Sequence, residues 1–323
     1  MNHERTEATP LRIALAFAAV YLIWGSTYMA IRVAVADFAP FVMASIRFVV
    51  AGFALYGYLR LRGAPRPTWK QWRNASAIGF LLLSCSNGAV TWAEKTVPSG
   101  LAALLCAVLP MWMVLLEWLW DRTQRPTLQV MFGILLGLVG VAVLVGPGLT
   151  AEAGQVDFFG ATLIVLASLT WALGSIYGRK ADLPGSAAMS TAMEMIAGGA
   201  ILAIGAWATG DWARFDPSVI PTNSWLALLY LAVFGSLIAL SAYVWLLKAS
   251  TPARVSTYAY VNPVVAVILG WALLDEPLTA RTAVAAAIIV TALVVITNQR
   301  ARGKLTSAPR LESEALAPTP IKR

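Results

Sequence analysis

The chain has one histidine, His3, and two cysteines, Cys85 and Cys106, in 323 residues. A single imidazole leaves no set of ligands for a catalytic zinc, and no base beside a serine or cysteine nucleophile deep in the chain. The two cysteines lack metal-ligand spacing and build no disulfide framework. No Walker loop and no Gly-x-Gly-x-x-Gly fingerprint occurs, so the nucleotide and flavin folds that cradle phosphates are not expected. Enzyme, metal and cofactor chemistry therefore have no foothold in the sequence. Charge is equally scarce. Only 12% of residues are charged, while 59% are hydrophobic. Soluble domains average about 25% charged and about 45–50% apolar, so this chain cannot cover an aqueous surface of ordinary size.

What is present is a series of apolar runs of about 20 residues, the length that crosses a bilayer core as a helix. They fall near 12–31, 40–60, 74–93, 99–119, 127–146, 158–178, 187–208, 224–246, 253–273 and 281–298. Backbone in lipid must satisfy its own hydrogen bonds, and the alternating ten-residue signals of a barrel are missing. An all-α polytopic membrane protein with ten transmembrane helices is expected. The first run is too long for a signal-peptide core and lacks a small-residue cleavage pattern, so it reads as a retained helix.

The net charge of +8 would suit nucleic acid, but its placement argues otherwise. With the N-terminus inside, 19 of the 24 Lys and Arg fall in cytoplasmic segments and four outside, with Arg47 within a helix. That bias places both termini in the cytoplasm by the positive-inside rule. The basicity reports membrane topology, with lipid and a small-molecule substrate as partners and no nucleic acid.

The two halves echo each other. "YLIWGSTYMAIR" corresponds to "LTWALGSIYGRK", "ASIRFVVAGFAL" to "TAMEMIAGGAIL", and "AVLPMW" to "YVNPVV". Their shared order indicates a duplicated five-helix unit. Five is odd, so the second copy enters the membrane from the opposite face, the inverted-repeat arrangement of secondary transporters. The expected division is a cytoplasmic tail at 1–11, a first repeat at 12–148, a periplasmic linker at 149–156, a second repeat at 157–299, and a disordered cytoplasmic tail at 300–323.

The motifs "WGSTYMAIR" (24–32), "SIRF" (45–48), "NGAVTWAEKTVPSG" (87–100), "TWALGSIYG" (170–178), "YLAVFGSLIALSAY" (230–243), and "YAYVNPVVAVILG" followed by "DEPL" (258–278) carry a family resemblance. The sequence resembles the drug/metabolite transporter superfamily, specifically ten-helix EamA-domain exporters of the YedA and YddG type. The resemblance spans about residues 12 to 298. It implies two inverted five-helix repeats around a central cavity, in proteins that mostly export amino acids, other metabolites or toxic compounds. The small multidrug members carry a glutamate in their first helix. No acid stands in this first span, so their coupling does not transfer.

Candidate site residues follow from polarity inside the spans. Ser84, Asn87, Thr91 and Glu94 recur at steps of three, four and three, which places them on one α-helical face. Such a stripe either glues helices, at about 0.6–2 kcal/mol per bond, or lines a cavity. Its depth and the adjoining Trp92 favour lining, with Glu94 and Lys95 at the outer mouth read as a gate or, in preference, as interface charges. Ser236 and Tyr243 share a face of the eighth helix, the counterpart of the third. Tyr21, Trp24 and Tyr28 share a face of the first helix, and Ser168, Trp171 and Ser175 a face of the sixth. With Trp112, Tyr243, Tyr258 and Asn262 they are cavity candidates, Trp24, Trp112 and Trp171 equally open to core packing, and an aromatic-lined cavity would suit apolar, aromatic or cationic solutes.

Pro110 and Pro263, inside equivalent spans, are expected to be hinges or cavity shapers. Arg47 and Glu194 occupy repeat-equivalent positions with opposite sign. Arg47 is read mainly as a structural pairing or anchoring group, with binding of a substrate carboxylate the lesser alternative, and Glu194 as a proton-coupling candidate. Glu117, near the cytoplasmic end of its span, is expected to snorkel. The Gly133-x-x-x-Gly137 step with Gly140, and the alanine-rich tenth helix, read as packing scaffold or a dimer face. Monomer and homodimer both fit. The expected activity is secondary active transport across the bacterial inner membrane, with export of amino acids, aromatic or apolar ones among them, or of similar small metabolites by alternating access. Multidrug efflux and metabolite import are the rival directions, and a channel the more distant one.

Overall fold

The computed structural model describes residues 9–121, 127–145, 157–250, 255 and 257–306. Of the expected tails at 1–11 and 300–323, residues 1–8 and 307–323 lie outside the described residues, as does the linker at 149–156, while 300–306 is helical rather than disordered. Among those described, the chain is helical throughout, in ten rods. They are α1 (Pro10–Ala34), α2 (Pro40–Leu61), α3 (Trp69–Ala93), α4 (Ser99–Trp120), α5 (Leu128–Val145), α6 (Phe158–Lys180), α7 (Ala187–Ala208), α8 (Thr222–Leu246), α9 (Tyr258–Leu274) and α10 (Ala280–Thr306). Seven are long and apolar enough to span a membrane, and α5, α9 and α10 hold shorter apolar segments.

Local sequence sets the rod ends. Pro10 and Pro40 open α1 and α2, where an amide proton is not needed. Thr68 and Gln71 form a reciprocal capping box ahead of α3. Asp157 accepts from the Phe159 amide to cap α6, and Ser186 caps α7. Gly63 and Gly210, with φ of 83° and 73°, release the chain just past α2 and α7. Large apolar side chains such as Leu22, Phe53, Phe132, Leu135 and Ile268 face outward. A water-soluble monomer does not carry so much exposed apolar surface, whereas lipid wets it.

The packing repeats across the two halves. α2 lies along α7 and α5 along α10, each a pair of repeat mates, while α3 packs on α6 as α8 packs on α1. At the α2–α7 contact the match reaches single residues. A side chain at Gly52 would meet Ile196 Cγ1 at 2.9 Å, and one at the equivalent Gly199 would meet Val49 Cγ2 at 2.8 Å. Val49 and Ile196 are themselves repeat-equivalent, so each half inserts the same knob into the same glycine hole of the other. The α5 glycine stripe is filled within the chain, since Gly133 faces Ile296 and Gly140 faces Ile289 of α10.

Three rods depart from α-geometry at mid-span. π-helical turns occupy Ala19–Ile23 in α1, Phe80–Asn87 in α3 and Leu231–Leu240 in α8. α4 is interrupted at Ala107 and Val108, between Ser99–Cys106 and Leu109–Asp121. Wide turns of this kind are rare and gather at functional sites.

Candidate functional site: a cavity among the irregular helices

The irregular segments converge on one internal cavity of about 880 Å³, open solvent at its mouth included. Its walls come from α1, α2, α3, α4, α6, α8 and α9, hence from both repeats.

Trp24 follows directly on the π turn of α1 and donates through Nε1 to the Gly235 carbonyl, 3.3 Å away in the π segment of α8. Its ring is the hub of an aromatic cluster. Trp171 stands edge-on at 5.9 Å, Tyr258 edge-on at 5.3 Å, and Tyr243 tilted at 5.0 Å. Trp24, Tyr28, Trp171 and Tyr258 line the cavity, whereas Tyr243 stands behind the Trp24 ring and off the wall. Edge-to-face pairs are worth about 0.5–1.5 kcal/mol beyond area burial, so the cluster is held rigid.

The stripe along α3 is divided. Asn87 lines the cavity. Ser84 does not: its hydroxyl donates to the Gly198 carbonyl of α7 at 2.9 Å and ties two helices together. Thr91 is fully buried behind Asn87 and donates to its Oδ1 at 3.4 Å. The reason is the π turn. The three-four-three spacing presumes about 100° per residue. Across Phe80–Asn87 the wider register turns less per residue, so Ser84 and Asn87 diverge.

Other expectations resolve similarly. Asn262 lines the wall, its amide donating to the carbonyls of Tyr21 at 3.1 Å and Tyr258 at 3.2 Å. Pro263 also lines it, and its missing amide proton leaves the Ala259 carbonyl without the usual helical donor. Pro110 stands off the wall, in the second residue of the lower half of α4. There it needs no amide partner, and the interruption before it brings Cys106 and Ala107 to the surface of the cavity. Trp112 packs against the cluster of Val108, Met111 and Val114 rather than the cavity. Ser175 closes on the Trp171 carbonyl at 2.8 Å. Ser168 lines the cavity while donating to the Val165 carbonyl at 2.7 Å. Glu117, read from the sequence as snorkelling, pairs with Arg179 at 2.7 Å.

The charges diverge most from the sequence reading. Arg47, only 4% exposed, lines the cavity. Its Nε donates to Ser236 Oγ at 2.9 Å, its guanidinium lies 4.7 Å from the Phe48 ring centre, and its Nη1 has no hydrogen-bond partner. Glu194 does not pair with it. Glu194 is buried at the α7–α3 contact, where its own backbone carbonyl presses on Gly79. The attraction Arg47 feels comes instead from Glu94. Glu94 is fully buried with neither carboxylate oxygen hydrogen-bonded, so it is no interface charge. It stands within the fields of Glu276, Arg32 and Arg47, and Arg32 donates to its backbone carbonyl. Glu276, from the loop after α9, accepts from the Ser99 amide at 2.7 Å and the Gly100 amide at 3.1 Å and caps α4. Thr27, Ser86 and Gly235 are wall residues that the sequence did not single out. Only the π register on α3 and α8, invisible in composition, would have pointed to Ser86 and Gly235.

An all-helical bundle of two crossed halves, enclosing a mid-span cavity with aromatic walls and one buried cation, has the build of a membrane transporter. The chain belongs to the EamA-like transporter family, whose model matches residues 11–146 and again 158–298. It is 41% identical over 283 residues to an inner membrane transporter of Escherichia coli named YedA, covering 87% of this chain and 89% of that one. A Bacillus subtilis transporter, YvbV, is 23% identical over 305 residues, covering 94% and 97% of the two chains. A solved crystal structure superposes with a TM-score of 0.62 at 22% identity, over 89% of this chain and 98% of that one, a likeness of fold alone.

Proposed function

We propose that the protein is a secondary active transporter of the bacterial inner membrane that exports amino acids or similar small metabolites by alternating access, with both termini cytoplasmic. The supporting observation is the cavity itself, in which aromatic rings from α1, α6 and α9 share a wall with Arg47 and Asn87 at mid-span. A charge in the membrane centre costs about 2.5–3.5 kcal/mol on insertion scales, and such groups are kept where solutes pass. In this reading the repeats at 12–148 and 157–299 exchange conformations about the α2–α7 contact and present the cavity to each face in turn. Pro263 and the break before Pro110 supply the yielding points. The YedA relative's name places that protein in the inner membrane, which supports the same location here.

A second reading, efflux of aromatic or apolar toxic compounds, draws on the ring cluster alone. The buried arginine weighs against cationic drugs. Counterflow of labelled amino acids in proteoliposomes, with the pH gradient fixed and then collapsed, tests the proposal. Accelerated exchange of at least one amino acid is expected. No acceleration for any of them, with accelerated flux of aromatic amphiphiles, would transfer the assignment to the second reading.

A further inference from the structure

The most unusual group in the cavity is Arg47, because nothing in direct contact answers its charge. Guanidinium carries five N–H donors in a planar fork matched to carboxylate. Here Nε is committed to Ser236, whose own hydroxyl proton goes to the Leu231 carbonyl at 3.1 Å, so its lone pair is turned toward the arginine. Nη2 lies over Gly235, where an added Cβ would come within 3.0 Å, so the glycine leaves room for the head group. Nη1 is buried with no protein partner. No carboxylate forms an ion pair with Arg47 among the described residues, and Glu94 acts on it only at a distance. The arginine is thus positioned by a second helix, half-satisfied, and set in a wall that Trp24, Trp171 and Tyr258 share.

We propose that Arg47 binds a carboxylate of the transported solute, so that the cavity selects organic anions or zwitterions whose carboxylate is attached to an apolar or aromatic body. This rests on the transport reading. The bond is charge-assisted and two-pronged, and the solute supplies the counter-charge that the protein withholds. The aromatic rings receive the body, and Ser236 is a positioning residue. A matched neutral amide leaves the guanidinium unpaired and is rejected.

The test uses full-length protein in proteoliposomes with four probes: L-phenylalanine, 3-phenylpropionate, its neutral amide 3-phenylpropanamide, and inorganic phosphate. Binding is read by thermal stabilisation, and flux separately by counterflow. Wild-type protein is expected to bind the two carboxylates about tenfold or more tighter than the amide, with phosphate weak. Arg47→Gln should abolish that preference while changing amide binding by less than about twofold, and Arg47→Lys should keep part of it. Should Arg47→Gln not fold, Ser236→Ala keeps the charge and should narrow the carboxylate-to-amide ratio several-fold. Equal binding of carboxylate and amide by wild type, a preference that survives Arg47→Gln or is untouched by Ser236→Ala, phosphate as the tightest probe, or no binding of any probe would each overturn the proposal. Carboxylate-selective binding without flux of any solute would leave Arg47's role standing and overturn the transport reading instead.

Discussion

The two five-helix halves share a scaffold and differ in chemistry. At the α2–α7 contact, Val49 fills the hole at Gly199 and Ile196 the hole at Gly52, residue for residue. Elsewhere the mates part. α1 carries a π turn and α6 none. Tyr28 lines the cavity, while its mate Tyr177 donates to Asn74 at 3.0 Å near the other end of the bundle. Trp24 corresponds to Leu173, and Arg47 in the cavity wall corresponds to Glu194 in a helix contact. Duplication supplies a framework whose halves can trade shapes, and binding chemistry then needs to be built only once, on residues whose mates are free to do something else.

That comparison can be broken at several points. Trp24→Ala should have the largest effect, near the lower end of the about 3–5 kcal/mol typical of Trp-to-Ala changes, since one side of the ring already faces the cavity. Leu173→Ala should cost less, and thermal unfolding of purified protein compares the two. Gly52→Leu and Gly199→Leu should each destabilise by about 1–3 kcal/mol through overpacking, and by similar amounts. A large inequality between them would show that the scaffold is not symmetric in energy. Arg47→Gln should weaken carboxylate solutes by about tenfold or more, while Glu194→Gln, away from the cavity wall, should alter solute affinity by less than about twofold. Equal effects would erase the distinction drawn between the mates.

The smallest effect belongs to Asp157, outside the membrane spans. The Thr96 hydroxyl at 2.6 Å, with the amides of Gly160 and Phe159, holds its carboxyl below the usual range. A depressed carboxylate stabilises the fold above its unfolded value of about 3.9 and loses that contribution as pH falls through its lower folded value. Asp157→Ala should cost about 0.5 kcal/mol near neutral pH, at the low end for a lost cap because the site is exposed. Asp157→Asn should flatten the acid limb of the stability curve, as unfolding midpoints between about pH 2 and pH 5 would show.

Most of the fold was legible because lipid imposes one rule on every span, and ten apolar runs of the right length satisfy it. The ends α2, α6 and α7 adopt follow from Pro40, Asp157 and Ser186. The site was legible where a residue's surroundings need only α-geometry, as for Trp24, Tyr28 and Trp171. It was obscured where geometry changes. The stripe from Ser84 to Glu94 crosses a π turn, which separates Ser84 from Asn87. Glu94 looked like a surface charge because of its place at a span end. Only tertiary packing by Val97, Leu101 and neighbouring apolar side chains encloses that end. Arg47 and Glu194 are repeat-equivalent and opposite in sign, yet symmetry mates need not touch, and these two do not pair.

The most direct measurement is counterflow of labelled L-phenylalanine and 3-phenylpropionate through proteoliposomes holding wild type, Trp24→Ala, Arg47→Gln and Glu194→Gln, each first shown to be folded. Wild type and Glu194→Gln should exchange at least one of the two probes well above empty liposomes, while Trp24→Ala and Arg47→Gln should fall close to that background. Exchange by wild type that persists undiminished in both Trp24→Ala and Arg47→Gln would contradict a solute path through this cavity.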